Sequence, residues 1–232
     1  MNLYIIVEGI HTEVQIYPVW ISYVAPNLNR IDDARNVNSN NYYLMSGNGI
    51  PSIFNHIVNA IEDVNAINSE KEQEGNHGYD YLVVGIDVEE ESREEILQEI
   101  DDRLGKANVK LNNAELIVLE QKVCIETWLL GNIKVFKKNP QNQELAKLVG
   151  TYNVGENDPE DMDNLQPDRW NTKAQFHGHY LKLMFRERHM LYAKNSTEEV
   201  CKETYFNQLV NRYNETEHIS TFGNWWDFFR NL

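Results

Sequence analysis

Leu3-Tyr4-Ile5-Ile6-Val7-Glu8-Gly9-Ile10-His11-Thr12-Glu13 opens the chain with five apolar or aromatic residues, then an acid, then a glycine. A continuous apolar run of this length reads as a strand buried on both faces, as in a parallel sheet. The glycine turns the chain, and Thr12–Val24 reads as a helix in which Pro18 marks a kink or an early break. The strand therefore ends in a carboxylate at its carboxyl end, where open α/β sheets bind ligands. A second run, Tyr81-Leu82-Val83-Val84-Gly85-Ile86, is the strongest strand in the chain and ends in Asp87-Val88-Glu89.

Residues 42–45 read as a short strand before the turn Ser46-Gly47-Asn48-Gly49. Residues 51–65 carry apolar side chains at helical spacing, and the polar run 68–78 reads as a loop. Residues 92–104 read as a helix, 116–119 as a fourth strand and 124–130 as a short helix ended by Gly131. Four strands interleaved with helices imply an α/β domain over residues 1–132 with a mostly parallel sheet. Beyond it the pattern changes. Residues 141–149, 180–192 and 196–213 read as helices, the last with Ser196 and Glu199 in capping-box spacing. Residues 133–232 are thus expected to form a mainly helical extension with a strongly aromatic end.

The chain has 232 residues, enough to bury a core without disulfides or metal staples. Its two cysteines, Cys124 and Cys201, have neither disulfide-framework nor zinc spacing. No secretory signal or membrane-spanning run is evident, so a cytoplasmic protein without membrane partners is expected. The net charge is −15. That opposes a protein gripping nucleic acid by general electrostatics, which rests on Lys and Arg. It does not exclude a nuclease whose acidic pocket is neutralised by metal. The acid concentrates in 70–102 and 156–163, whereas Lys182, Arg186, Arg188 and Lys194 face only Glu187 within their stretch. These four are the candidate phosphate-facing surface, against the plainer reading of a solvated helix face.

Glu8, Asp87 and Glu89 form the central constellation. If the two strongest strands lie side by side, their carboxyl ends bring these acids together. Hard oxygen ligands suit Mg²⁺ or Mn²⁺, which can activate water and stabilise a phosphate in displacement. Extended backbone would put Asp87 and Glu89 on one side and Val88 on the other. Each acid alone could equally be a helix cap or a solvated loop group. His11 could contact a phosphate or begin the helix. Gly47-Asn48-Gly49 reads better as a tight turn than as a phosphate loop, since it lacks a P-loop lysine. His177-Gly178-His179 has no partners at zinc spacing and reads as core or surface histidines. The late tryptophans and phenylalanines could stack bases, but more often form core or an interface.

A strand followed by Glu-Gly, with an acidic pair after a later strand, resembles the TOPRIM domain of topoisomerases, primases and overcoming-lysogenization-defect nucleases. Val7-Glu8-Gly9-Ile10-His11-Thr12-Glu13 is most similar to the form seen in the RloB-like group of bacterial defence loci. Ile125-Glu126-Thr127-Trp128-Leu129-Leu130 resembles a second element of that group. The resemblance implies a Rossmann-like domain and a Mg²⁺- or Mn²⁺-dependent nuclease of DNA or RNA. The expected role is an anti-phage effector or toxin working with a separate ATPase. It implies Glu8 as metal ligand or general base, Asp87 as first acid of an Asp-x-Asp motif, and Glu126 as a fourth acid. Glu89 departs from that motif, which has aspartate there. Glu13 ranks lower, as a helix-dipole partner. A non-catalytic interaction subunit on the same scaffold is the alternative. A receiver-like module is weaker, because only one acid follows the first strand. Homo-oligomerisation stays open.

Overall fold

The computed structural model describes all residues, Met1–Leu232, as two compact units. The first comprises Met1–Ile86, Glu91–Glu120 and Phe229–Leu232; the second comprises Asp87–Glu90 and Gln121–Phe228. This division differs from a simple boundary after residue 132. The segments that follow the two last strands, and the helix over residues 125–130, go with the C-terminal unit.

The first unit is built on a parallel five-stranded sheet. Its strands are β1 (Leu3–Val7), β2 (Asn29–Ile31), β3 (Asn41–Ser46), β4 (Tyr81–Asp87) and β5 (Glu115–Gln121). Their spatial order is β2-β3-β1-β4-β5. The expected four-stranded sheet therefore gains a member. β2 is three residues, Asn-Arg-Ile, with two exposed, so it carries no apolar pattern to betray it. Pairing with β3 makes it a strand. The expected adjacency of the two strongest strands holds: β1 pairs in parallel with β4, Val7 opposite Gly85. All five residues of β1 are buried, as a strand covered on both faces requires.

Helix α1 (Thr12–Val24) packs against β3 and continues through Pro18. Helix α2 (Ser52–Gln73) packs against β1 and against α3 (Arg93–Ala107). It runs well into the stretch expected to be a loop. The reason is tertiary: Ile67 and Asn68 are buried, and Asn68 stitches to the strand entry. Its Oδ1 accepts from the Tyr79 N–H at 2.6 Å and its Nδ2 donates to the Tyr79 carbonyl at 2.9 Å. Ser92 caps α3 in a full capping box with Glu95.

The second unit is helical; no strand lies beyond Gln121. Its helices are α4 (Ile125–Leu130), α5 (Gln143–Thr151), α6 (Lys173–Glu187), α7 (Glu203–Thr216) and α8 (Ser220–Arg230), whose last two residues fall in the first unit. Every residue of α4 is buried, and α4 packs on α6. Trp128 of α4 donates its indole N–H to Thr221 Oγ1 at 2.7 Å, and Tyr205 of α7 donates to the Leu129 carbonyl at 2.7 Å. The aromatic end is core: Phe222 and Trp225 are fully buried and stack at 6.2 Å. α6 starts at Lys173, capped by Thr172, seven residues before the expected position. Ser196 caps no helix. Its hydroxyl donates to Glu198, and α7 begins only at Glu203.

Candidate functional site: the acid-and-lysine cavity of the helical unit

The Glu8 turn lies in the sheet unit. Its backbone is clamped from two sides: Glu8 N–H donates to the Gly85 carbonyl at 2.9 Å, and its carbonyl accepts from Gly49 N–H at 2.9 Å. Gly47 N–H is likewise taken, by the Val7 carbonyl at 2.7 Å. The Gly47 and Gly49 amides thus hold the end of β1, and the Asn48 N–H donates to Ser46 Oγ at 3.0 Å, which suits the tight-turn reading. The Glu8 side chain is half-buried. Glu13 is more buried than expected of a helix-dipole partner, and its carboxylate folds back over Gly9. A Cβ at Gly9 would stand 2.0 Å from Glu13 Oε2, so a side chain there would displace the Glu13 carboxylate. His11 occupies the N-cap position of α1 but makes no capping bond with its side chain, and it is exposed.

Asp87, Glu89 and Glu126 belong to the helical unit. Two backbone bonds tie the post-β4 segment to the post-β5 segment: Val88 N–H to the Gln121 carbonyl and Glu89 N–H to the Val123 carbonyl, both at 3.1 Å. Glu90 anchors it to the start of α6. Its Oε1 accepts from Lys173 N–H at 3.1 Å, where the helix presents its positive end. The expected alternation of Asp87 and Glu89 fails, because β4 stops at Asp87 and Glu89 takes a positive φ of 34°.

That local turn makes Glu89 part of a cavity of about 400 Å³. Glu126 lines it from α4. From α6 come Ala174, Gln175, Gly178, His179 and Lys182, with Trp170, Thr172 and Lys194 alongside. Glu126 is buried, and its Oε1 accepts from the Tyr192 hydroxyl at 3.0 Å. Burial, then the charges of Glu126 and Asp87, push the buried Cys124 thiol well above its usual range. Burial thus disfavours the Cys124 thiolate. His179 is fixed by Glu144, whose Oε1 lies 2.9 Å from its Nε2, and by the Trp170 ring at 4.7 Å. The histidine and the arginine Arg169 hold the Glu144 carboxyl below its usual range.

Of the basic residues read from sequence, Lys182 and Lys194 line this cavity and Arg186 and Arg188 do not. Arg188 is a structural clip: its Nε and Nη2 donate to the carbonyls of Val135 and Phe136. Arg186 is solvent-exposed. His177 is core, between Thr127 Oγ1 at 2.8 Å and the Met162 carbonyl at 2.9 Å. Trp170 and Gln175 carry no site signal in the sequence, and His179 reads there only as a core or surface histidine; the small residues Ala174 and Gly178 on α6 are the one hint of an opening. Within either unit, no group of three or more His, Cys, Asp or Glu side chains is arranged to hold a metal ion. No helix is long and apolar enough to cross a membrane. No family model matches the chain, and neither a curated protein nor a solved structure matches it.

Proposed function

We propose that the protein is a metal-dependent phosphodiesterase of nucleic acid, with a TOPRIM-like sheet domain. One observation carries this reading: Glu89 and Glu126 line the same cavity as Lys182 and Lys194. Mg²⁺ is commonly held by one or two carboxylates, with waters and substrate phosphate oxygens completing its shell. Two glutamates on one cavity fit that demand without an all-protein cage, and Mn²⁺ suits the same oxygens. When bound, the ion supplies water activation and charge stabilisation at phosphorus. The chain's own residues do the rest. Glu89 and Glu126 supply the negative donors, and the Tyr192 hydroxyl orients Glu126. Lys182 and Lys194 bind phosphate as point charges. Asp87 adds to the local negative potential. The net charge of −15 then means that grip comes from this cavity and from a partner, not from the surface at large. The setting suggested by the sequence resemblance is anti-phage defence beside a separate ATPase.

The test is cleavage of single- and double-stranded DNA and RNA with Mg²⁺ or Mn²⁺, by the natural protein and by Glu126→Gln. Glu126→Gln is expected to lose about a hundredfold in rate. Equal cleavage by both proteins would refute the reading. Glu8→Gln, in the sheet unit, tests the role of Glu8 separately. The absence of a three-donor group favours the second reading, a non-catalytic interaction subunit. It would be supported by calorimetry showing no Mn²⁺ binding that depends on Asp87 or Glu126.

A further inference from the structure

We infer that the cavity of the helical unit holds one unstacked nucleotide, its base against Trp170 and its phosphate against Lys182 and Lys194. The inference rests on the phosphodiesterase reading and names the part of the substrate that the site takes. Ala174, Gly178 and Lys182 fall at successive four-residue steps, so they share one face of α6. The two smallest of these side chains form the floor. A Cβ built at Gly178 would find nothing nearer than Glu126 Cγ at 3.9 Å, an ordinary contact, so a methyl group would fit there without a clash. The third, Lys182, stands about 12 Å along the axis from Ala174, at about 1.5 Å per residue. The Trp170 ring lies beside His179, three residues from Lys182 on the same helix, so an aromatic and a cationic group line the cavity together.

Trp170 is held in orientation before any ligand arrives. The His179 ring lies 4.7 Å from it at 34°, and the Arg169 guanidinium sits 5.2 Å from its centroid. A preordered indole loses little entropy on stacking, and base–aromatic contact is tolerant of sequence. A volume of about 400 Å³ suits one small polar ligand and excludes a base pair with its neighbours. A base in this cavity must therefore come from a single strand or be turned out of a duplex.

The experiment is calorimetric titration, with and without Mg²⁺, of adenosine 5′-monophosphate, ribose 5-phosphate and adenosine, none of which carries a phosphodiester bond to hydrolyse. The nucleotide is expected to bind more tightly than either fragment. Trp170→Ala should weaken the nucleotide at least about fivefold and leave ribose 5-phosphate unchanged. Lys182→Ala should weaken nucleotide and ribose 5-phosphate alike and leave adenosine unchanged. Trp170→Phe should restore most of the affinity. Gly178→Leu, which fills the floor, should abolish binding; a natural-like thermal melt of that variant shows that the fold persists. The 2′-deoxy nucleotide separates RNA from DNA as the source. No heat with millimolar nucleotide, or undiminished binding by Trp170→Ala and Gly178→Leu, overturns the inference. Nucleotide binding by a protein that cleaves nothing sustains it while refuting the phosphodiesterase; cleavage without nucleotide binding does the reverse.

Discussion

His177 offers the sharpest quantitative test of the helical unit. The residue is fully buried on α6, with Nδ1 2.8 Å from Thr127 Oγ1 and Nε2 2.9 Å from the Met162 carbonyl. The carbonyl can only accept, so Nε2 carries the proton and Nδ1 accepts from the threonine hydroxyl. A second proton would turn the Thr127 hydroxyl from donor to acceptor and place a charge in the core. Burial accordingly pushes the imidazole down from its ordinary 6.5 to about 4. Between those values the unfolded chain binds the proton and the folded chain does not. Stability from this group is therefore fully present above about pH 6.5 and is lost as pH falls towards about 4. The gap of about 2.5 units, at about 1.36 kcal/mol each, amounts to about 3 kcal/mol below both values. About 2 kcal/mol of it falls between pH 7 and pH 5. Urea denaturation at these two pH values, for the natural protein and for His177→Gln, measures it. Glutamine offers a donor and an acceptor but does not titrate. The natural protein should lose about 2 kcal/mol more than the variant over that interval. Equal losses in both would refute the argument that a neutral, buried imidazole holds α4, α6 and the Met162 segment together.

Two further substitutions probe the frame. Arg212 is buried and donates to the carbonyls of Gly155, Val154 and Asn157 at 2.9, 3.1 and 3.0 Å. Arg212→Met keeps the bulk but orphans those acceptors, and should lower the denaturation free energy by about 3–5 kcal/mol. Asn68→Leu removes both bonds to Tyr79 and leaves that backbone unpaired where the chain enters β4. A loss of about 2–4 kcal/mol is expected, with faster amide exchange at Tyr79 than elsewhere in the sheet unit.

The long elements were legible because burial stamps a pattern on sequence. β1 and β4 are apolar runs, α1 has its bounds where spacing puts them, and α3 carries its cap in plain view at Ser92 and Glu95. The misses share a cause. β2 exists only because β3 supplies its hydrogen bonds, and the end of α2 only because Asn68 is recruited by Tyr79. The start of α6 hides behind Gly178 and two histidines, poor helix formers individually, which its packing against α4 overrides. Ser196 shows the converse, a local signal with no helix behind it.

Sequence alone determined that this is an α/β chain with acids at the ends of its two strongest strands, because strand character and strand-end chemistry are both written in consecutive residues. Only tertiary structure decided which of the chemical residues share a cavity. Glu89 reaches it through one residue of positive φ, Glu126 through a helix buried on all sides, and Lys182 and Lys194 from positions 56 or more residues further along the chain than Glu126. Arg188, alike in charge and close in sequence, is turned instead to two backbone carbonyls. Charge is a property of the residue, but its use is set by which neighbours the fold brings within hydrogen-bonding distance, and no local pattern in the chain encodes that.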